Sequence, residues 1–100
     1  MARKYLRISE VIDVCSVTRE FVLSLEREKL ISSVRRKNVR VYPIDQVDRI
    51  RVAHNLIGDL GVNLEGVEVA LHMREQIIAM RRQIEELFKH FETRPRESER

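Results

Sequence analysis

The sequence predicts a mainly α fold: a winged helix-turn-helix with a small β-hairpin wing and a long C-terminal coiled-coil dimerisation helix. Three observations predict it. Apolar residues recur at helical spacing in two short segments, around Val11 to Cys15 and Phe21 to Leu25, and then switch to alternation between Val34 and Tyr42. From Met73 to Phe91 the apolar spacing is 4-3-4-3-4, the heptad repeat of paired helices. The chain is 43% hydrophobic but holds only 2 Tyr, 3 Phe and no Trp, so its core must come from Val, Ile, Leu and Met, which suits helices.

Each element follows in order. "KYLRI" reads as a short edge strand, after which Ser9 is placed to cap a first helix with Glu10 in its first turn. Val11, Ile12 and Cys15 mark that helix, and "CSVT" ends it. Thr18 caps a second helix, whose positions Phe21, Val22, Leu25 and Leu30 carry it to about Lys29. Ile31–Val34 and Val39–Tyr42 then flank "RRKN" as a β-hairpin, with Asn38 suited to the left-handed conformation of the turn. Pro43 fits the first turn of a third helix with one apolar face through Ile44, Val47, Ile50, Ala53, Ile57 and Leu60. Gly61 stops that helix and Asn63 caps the next, which continues through Leu64, Val67 and Leu71 without Gly or Pro from 67 to 91.

The expected organisation is a winged body over residues 1–62, a dimerisation segment over 63–91 and a charged, disordered tail over 92–100. Met73, Ile77, Met80, Ile84, Leu87 and Phe91 form the seam, and a homodimer covers it. One hundred residues leave room for one compact body with a modest core. A single Cys15, set in "VIDVCSV", excludes an intrachain disulfide and reads as a small buried hydrophobe. No apolar run approaches the ~20 residues that span a bilayer, and "MARKYLRISE" lacks the apolar core of a signal peptide. A cytoplasmic location is expected.

The chemistry points to binding rather than catalysis. His54, His72 and His90 stand eighteen residues apart with no second ligand at zinc spacing, so neither a metal nor another cofactor is expected. Asp45 and Asp48 share a helical turn, but no nucleophile motif or glycine-rich loop accompanies them, and no enzyme activity is expected. Net charge is only +3, yet Arg27, Lys29, Arg35, Arg36, Lys37 and Arg40 cluster against Glu28 alone between residues 27 and 40. In a winged helix-turn-helix the second helix enters the major groove and the wing touches phosphate. Thr18 and Arg19, with Arg35, Arg36, Lys37 and Arg40, are therefore the candidate DNA-binding residues.

Three stretches carry a family resemblance. "SVTREFVLSLEREKLI", "NVRVYPIDQVDRIR" and "LGVNLEGVEVAL" resemble the second helix ending in Glu plus "GL", the wing leading into "Y-S-x-x-D" and the "LG-x-S-L-E-E-I" turn of the MerR superfamily. Their order and spacing match across roughly residues 5 to 90. The resemblance implies a MerR-like winged-helix domain, a helical pair and a dimerising coiled coil. "GDLGVNLEGVEVALHMREQIIAMRRQIEELF" further resembles the CbpM branch, chaperone modulators that bind the J-domain of a DnaJ-like co-chaperone and restrain it. DNA-binding relatives carry "T-L-R-Y-Y-E" in the second helix; the aligned residues here are Phe21 to Glu26, with Leu23 and Ser24 where the phosphate-holding Arg and Tyr stand.

That departure favours a protein partner. In the same family the J-domain face that meets Hsp70 is basic, which implies an acidic docking surface here, with Asp59, Glu65 and Glu68 as candidates. The alternative is a dimeric MerR- or HspR-type regulator bound to duplex DNA through the basic wing. Neither reading calls for a membrane or a small-molecule substrate.

Overall fold

The computed structural model describes residues 4–93. Strand β1 (Tyr5–Arg7) leads directly into helix α1 (Ile8–Cys15), followed by α2 (Arg19–Arg27), β2 (Val34–Arg36), β3 (Val39–Pro43), α3 (Ile44–Leu60) and α4 (Leu64–Thr93). The three strands form one antiparallel sheet in the order β1-β3-β2. Tyr5 pairs with Pro43 and Arg7 with Val41 on one side of β3, while Val34 pairs with Val41 and Arg36 with Val39 on the other.

Local chemistry sets the boundaries. Helix α1 starts at Ile8, so Arg7 rather than Ser9 stands at its cap: pairing with β3 holds the chain extended through Arg7, whose backbone N–H donates to the Glu10 carboxylate at 2.8 Å. Ser16 ends the helix in the left-handed region. Thr18 caps α2 as its side-chain type predicts, accepting the Phe21 N–H at 3.1 Å. Helix α2 stops at Arg27, two residues before the expected end. Lys29 adopts φ 64, its N–H bonds the Glu26 carbonyl, and the Leu30 N–H returns to the Leu25 carbonyl at 2.9 Å, which is a Schellman closure built on a lysine.

The hairpin is shorter than its alternation suggests. Ile31 lies outside the sheet and packs in the core, so the first wing strand begins at Val34. Lys37 and Asn38 both take positive φ, 54 and 64, which is the two-residue type I′ turn that matches strand twist. Pro43 closes β3 and stands just before α3 rather than in its first turn. Gly61, at φ 67, ends α3, and the Asn63 side chain accepts the Gly66 N–H at 2.8 Å to start α4.

The core gathers Val11 and Cys15 from α1, Val22 and Leu25 from α2, Tyr42 from β3, Val47, Ile50 and Ala53 from α3, and Val67 and Leu71 from α4. Cys15 is a buried free thiol, and that burial raises its pKa against the opposing influence of Arg51. The expected apolar face of α3 is buried only in its middle. Ile44 is 41% and Leu60 72% exposed, because the short body covers the helix centre and leaves its ends outside. No helix among the described residues is long and apolar enough to cross a membrane.

Helix α4 leaves the body halfway along. At ~1.5 Å per residue its 30 residues span roughly 45 Å, and every residue from Ala79 to Glu92 is exposed. The molecule measures 62 × 36 × 20 Å, with a radius of gyration of 18.2 Å, against about 13 Å for a compact chain of this length. The helix continues to Thr93, past the boundary at 91; the tail expected over 92–100 otherwise lies outside the described residues.

Candidate interaction surfaces

The wing is held to α2 through one carboxylate. Glu26 accepts from the Tyr42 hydroxyl at 2.8 Å and from the Ser33 hydroxyl at 2.6 Å, and Arg40 approaches it at 3.8 Å. Burial, reinforced by the bond to Glu26, pushes the Tyr42 phenol up to about 12. Tyr42 therefore stays a neutral donor at ordinary pH.

The basic residues of the wing are not equivalent. Register places Arg35 opposite Arg40 on the face that Tyr42 shares, while Arg36 lies on the other face with its guanidinium 4.6 Å from the Tyr5 ring centroid. Two of the four wing cations are thus engaged within the chain, Arg36 on Tyr5 and Arg40 beside Glu26. Arg35 and Lys37 are exposed and have no ion-pair partner among the described residues. Lys37 sits in the turn itself, at the tip of the wing.

Helix α2 offers little to phosphate along its middle. The Ser24 hydroxyl donates to the Phe21 carbonyl at 2.7 Å, within its own helix, and Leu23 is a half-buried apolar side chain. Phe21 turns inward, edge-on to His54 at 5.5 Å, so this histidine packs against an aromatic ring. Thr18 has its side-chain oxygen committed to the cap, and Arg19 is exposed beside it.

A second surface lies where α2 ends against the start of α4. Glu28, Leu30, Leu64, Glu65 and Glu68 line an open groove of ≈ 430 Å³. The structure brings Glu65 and Glu68 together there, along with Glu28, the lone acidic residue of the basic stretch 27–40. Asp59 is not part of this groove. It lines a smaller depression on α3 with Val52, Asn55, Leu56 and Leu60. Arg49 braces the body behind the groove: its guanidinium donates to the Leu30 carbonyl at 2.9 and 2.7 Å and pairs with Glu75 of α4.

The heptad positions form a third surface. Met73, Ile77, Met80, Ile84, Leu87 and Phe91 are each between 52% and 60% exposed, and Val69 and Phe88 add apolar area beside them. Body contact falls on a different face of α4, through Val67 and Leu71, so the chain itself leaves the seam uncovered.

A family model described as MerR HTH family regulatory protein matches residues 6–89. The chain belongs to the MerR family of helix-turn-helix regulatory proteins. The match runs from β1 through most of α4, so it takes in wing, groove and seam alike. No curated protein matches the chain. In this MerR-family chain the two-helix unit is α1–α2, the wing is β2–β3, and α4 is the protruding helix.

Proposed function

We propose that this MerR-family chain is a non-enzymatic regulatory adaptor of the CbpM-like kind, a cytoplasmic homodimer that binds the J-domain of a DnaJ-like co-chaperone and modulates it. The observation that carries this reading is the surface of α2. Ser24 spends its hydroxyl on the Phe21 carbonyl and Leu23 is apolar, where a DNA reader needs phosphate donors. Glu65 and Glu68, now joined by Glu28, supply the opposite charge on another face. A basic domain is steered to such a face and held there by charge complementarity. The α4 seam supplies the dimer contact, since six apolar residues at heptad spacing are uncovered in the single chain.

Titrating a DnaJ-like co-chaperone into the labelled protein tests the adaptor. Binding is expected at low salt, weakening as salt screens the charges, and is lost with a co-chaperone that lacks its J-domain. No binding at low salt overturns it.

A second reading rests on Arg35 and Lys37, which stand without ion-pair partners at the wing while Arg19 is exposed at the start of α2. Those three residues suit a dimeric DNA-binding regulator, with Thr18 capping the recognition helix and Arg36 and Arg40 behind them. A mobility shift of duplex DNA at ~50 mM salt, where phosphate contacts are strongest, is its signature. An unshifted duplex under those conditions removes it.

A further inference from the structure

The core uses one face of the sheet. Leu6 and Tyr42 pack inward, so strand alternation turns Tyr5, Arg7, Val39 and Val41 to the opposite face, together with Val34 and Arg36 of β2. Val34 and Val39 are 40% and 42% exposed there, yet Val41, which is not part of the core cluster, is only 8% exposed. The register explains the difference. Tyr5 pairs with Pro43 and Arg36 with Val39, on opposite flanking strands and to either side of Val41, so the Arg36 guanidinium meets the Tyr5 ring at 4.6 Å directly above that valine. This roof also fixes Arg36. One face of its guanidinium lies on the ring, Val34 stands beside it on β2, and Val39 is its cross-strand neighbour. The ion pairs of the described residues join Arg40 to Glu26 and Arg49 to Glu75, and Arg36 enters neither.

We propose that this outer sheet face docks an acidic amphipathic helix of a partner protein, which sets one carboxylate in the plane of the Arg36 guanidinium and apolar side chains on Val34 and Val39. Stacking engages the face of a guanidinium and leaves its in-plane N–H donors, the fork that a carboxylate matches with two bonds. The ring and the two valines hold that fork in place beforehand, so little side-chain ordering remains when the carboxylate arrives. Arg7, exposed on β1 across the sheet from Val34, adds a second cation, and no strand of the sheet contains a carboxylate. The face is therefore of one charge sign around an apolar centre, which an amphipathic helix of opposite charge fits. A phosphodiester backbone has no apolar side chain to lay on the two valines. The surface is separate from the acidic groove beside α4 and lies on the opposite face from Arg35, and it does not depend on the adaptor reading.

The probe is a fluorescein-labelled helical peptide with a leucine stripe flanked by glutamates, about 18 residues long so that it holds its helix, added to the full chain at low salt. Its counterpart with glutamine for every glutamate is the control. Fluorescence anisotropy reads affinity, and methyl NMR spectra read Val34, Val39 and Val41. The acidic peptide is expected to bind and to shift those methyl signals, with the control at least about tenfold weaker. Arg36→Lys keeps the charge but not the planar fork, and is expected to weaken binding about tenfold. Val39→Glu places a carboxylate of the chain itself beside Arg36 and is expected to abolish binding. Both substitutions change exposed side chains, and thermal melts check that the fold persists. Arg35→Ala removes a charge from the other face and leaves affinity unchanged. A peptide that does not bind overturns the proposal, and so does an equal loss in Arg35→Ala and Arg36→Lys, which marks general charge attraction. Shifts of the same methyl signals by a short DNA duplex assign the face to phosphate, and shifts that follow chain concentration alone assign it to a second copy; either result overturns the proposal as well.

Discussion

Lys29 occupies a position where backbone geometry favours glycine. Its φ of 64 closes α2, and the left-handed region costs a side chain with a Cβ about 1 kcal/mol. Lys29→Gly is therefore expected to stabilise the chain by about 0.5–1 kcal/mol after the loss of unfolded-state stiffness, seen as a higher urea midpoint at unchanged slope. Tyr42 makes a different prediction. Its folded-state pKa rises from 10.0 to about 12, so the folded chain holds the phenolic proton more tightly than the unfolded chain does. The stability this contributes is complete below pH 10.0 and is lost as pH climbs through about 12. Tyr42→Phe should lower stability at neutral pH by about 1–3 kcal/mol, since it removes a hydrogen bond to a carboxylate, and should shrink the alkaline loss. Denaturant titrations at stepped pH read both effects. Of these residues, Asn38 declared its left-handed turn by type, whereas Lys29 and Lys37 did not. Their conformations are imposed by a helix end and a hairpin, and lysine carries no local preference for either.

Elements divide the binding problem between them. The wing carries its free charge on Arg35 and Lys37, while Arg36 stacks on Tyr5 and Arg40 leans on Glu26. If duplex DNA is bound, Arg35→Ala and Lys37→Ala should each weaken it across all sequences and reduce the salt slope by about one. Arg36→Ala should cost sheet packing as well. A salt titration of the mobility shift separates the three variants. Helix α4 makes the prediction for assembly. Ile77→Glu and Ile84→Glu place charge in the seam but touch no core residue, so light scattering is expected to read a dimer for the wild-type chain and folded monomers for the two variants. The periodicity of α4 was readable because a seam repeats. The groove beside it was not, because Glu28 and Glu68 are forty residues apart and meet only when α2 ends against α4.

At the scale of the whole molecule, one arginine joins three parts. Arg49 of α3 reaches the Leu30 carbonyl after α2 and the Glu75 carboxylate on α4, and its side chain is only 16% exposed. Arg49→Ala leaves the Leu30 carbonyl without its donors and frees Glu75. A loss of about 2 kcal/mol is expected, with faster amide exchange in the first half of α4 than in α1, because the protruding helix then loses its polar tie to the body and keeps its apolar packing through Val67 and Leu71. The order of elements, the helix stops at Cys15 and Gly61, the caps at Thr18 and Asn63 and the heptad seam are legible along the chain, because spacing, capping and φ preference act within a few residues. Long-range packing instead settles that Arg36 and Arg40 are engaged internally, that Glu28 belongs with Glu65 and Glu68 while Asp59 does not, and that Tyr42, Ser33 and Glu26 lock the wing. Those relations join residues distant in sequence, and charge or polarity alone does not say which of them packing brings within hydrogen-bond reach.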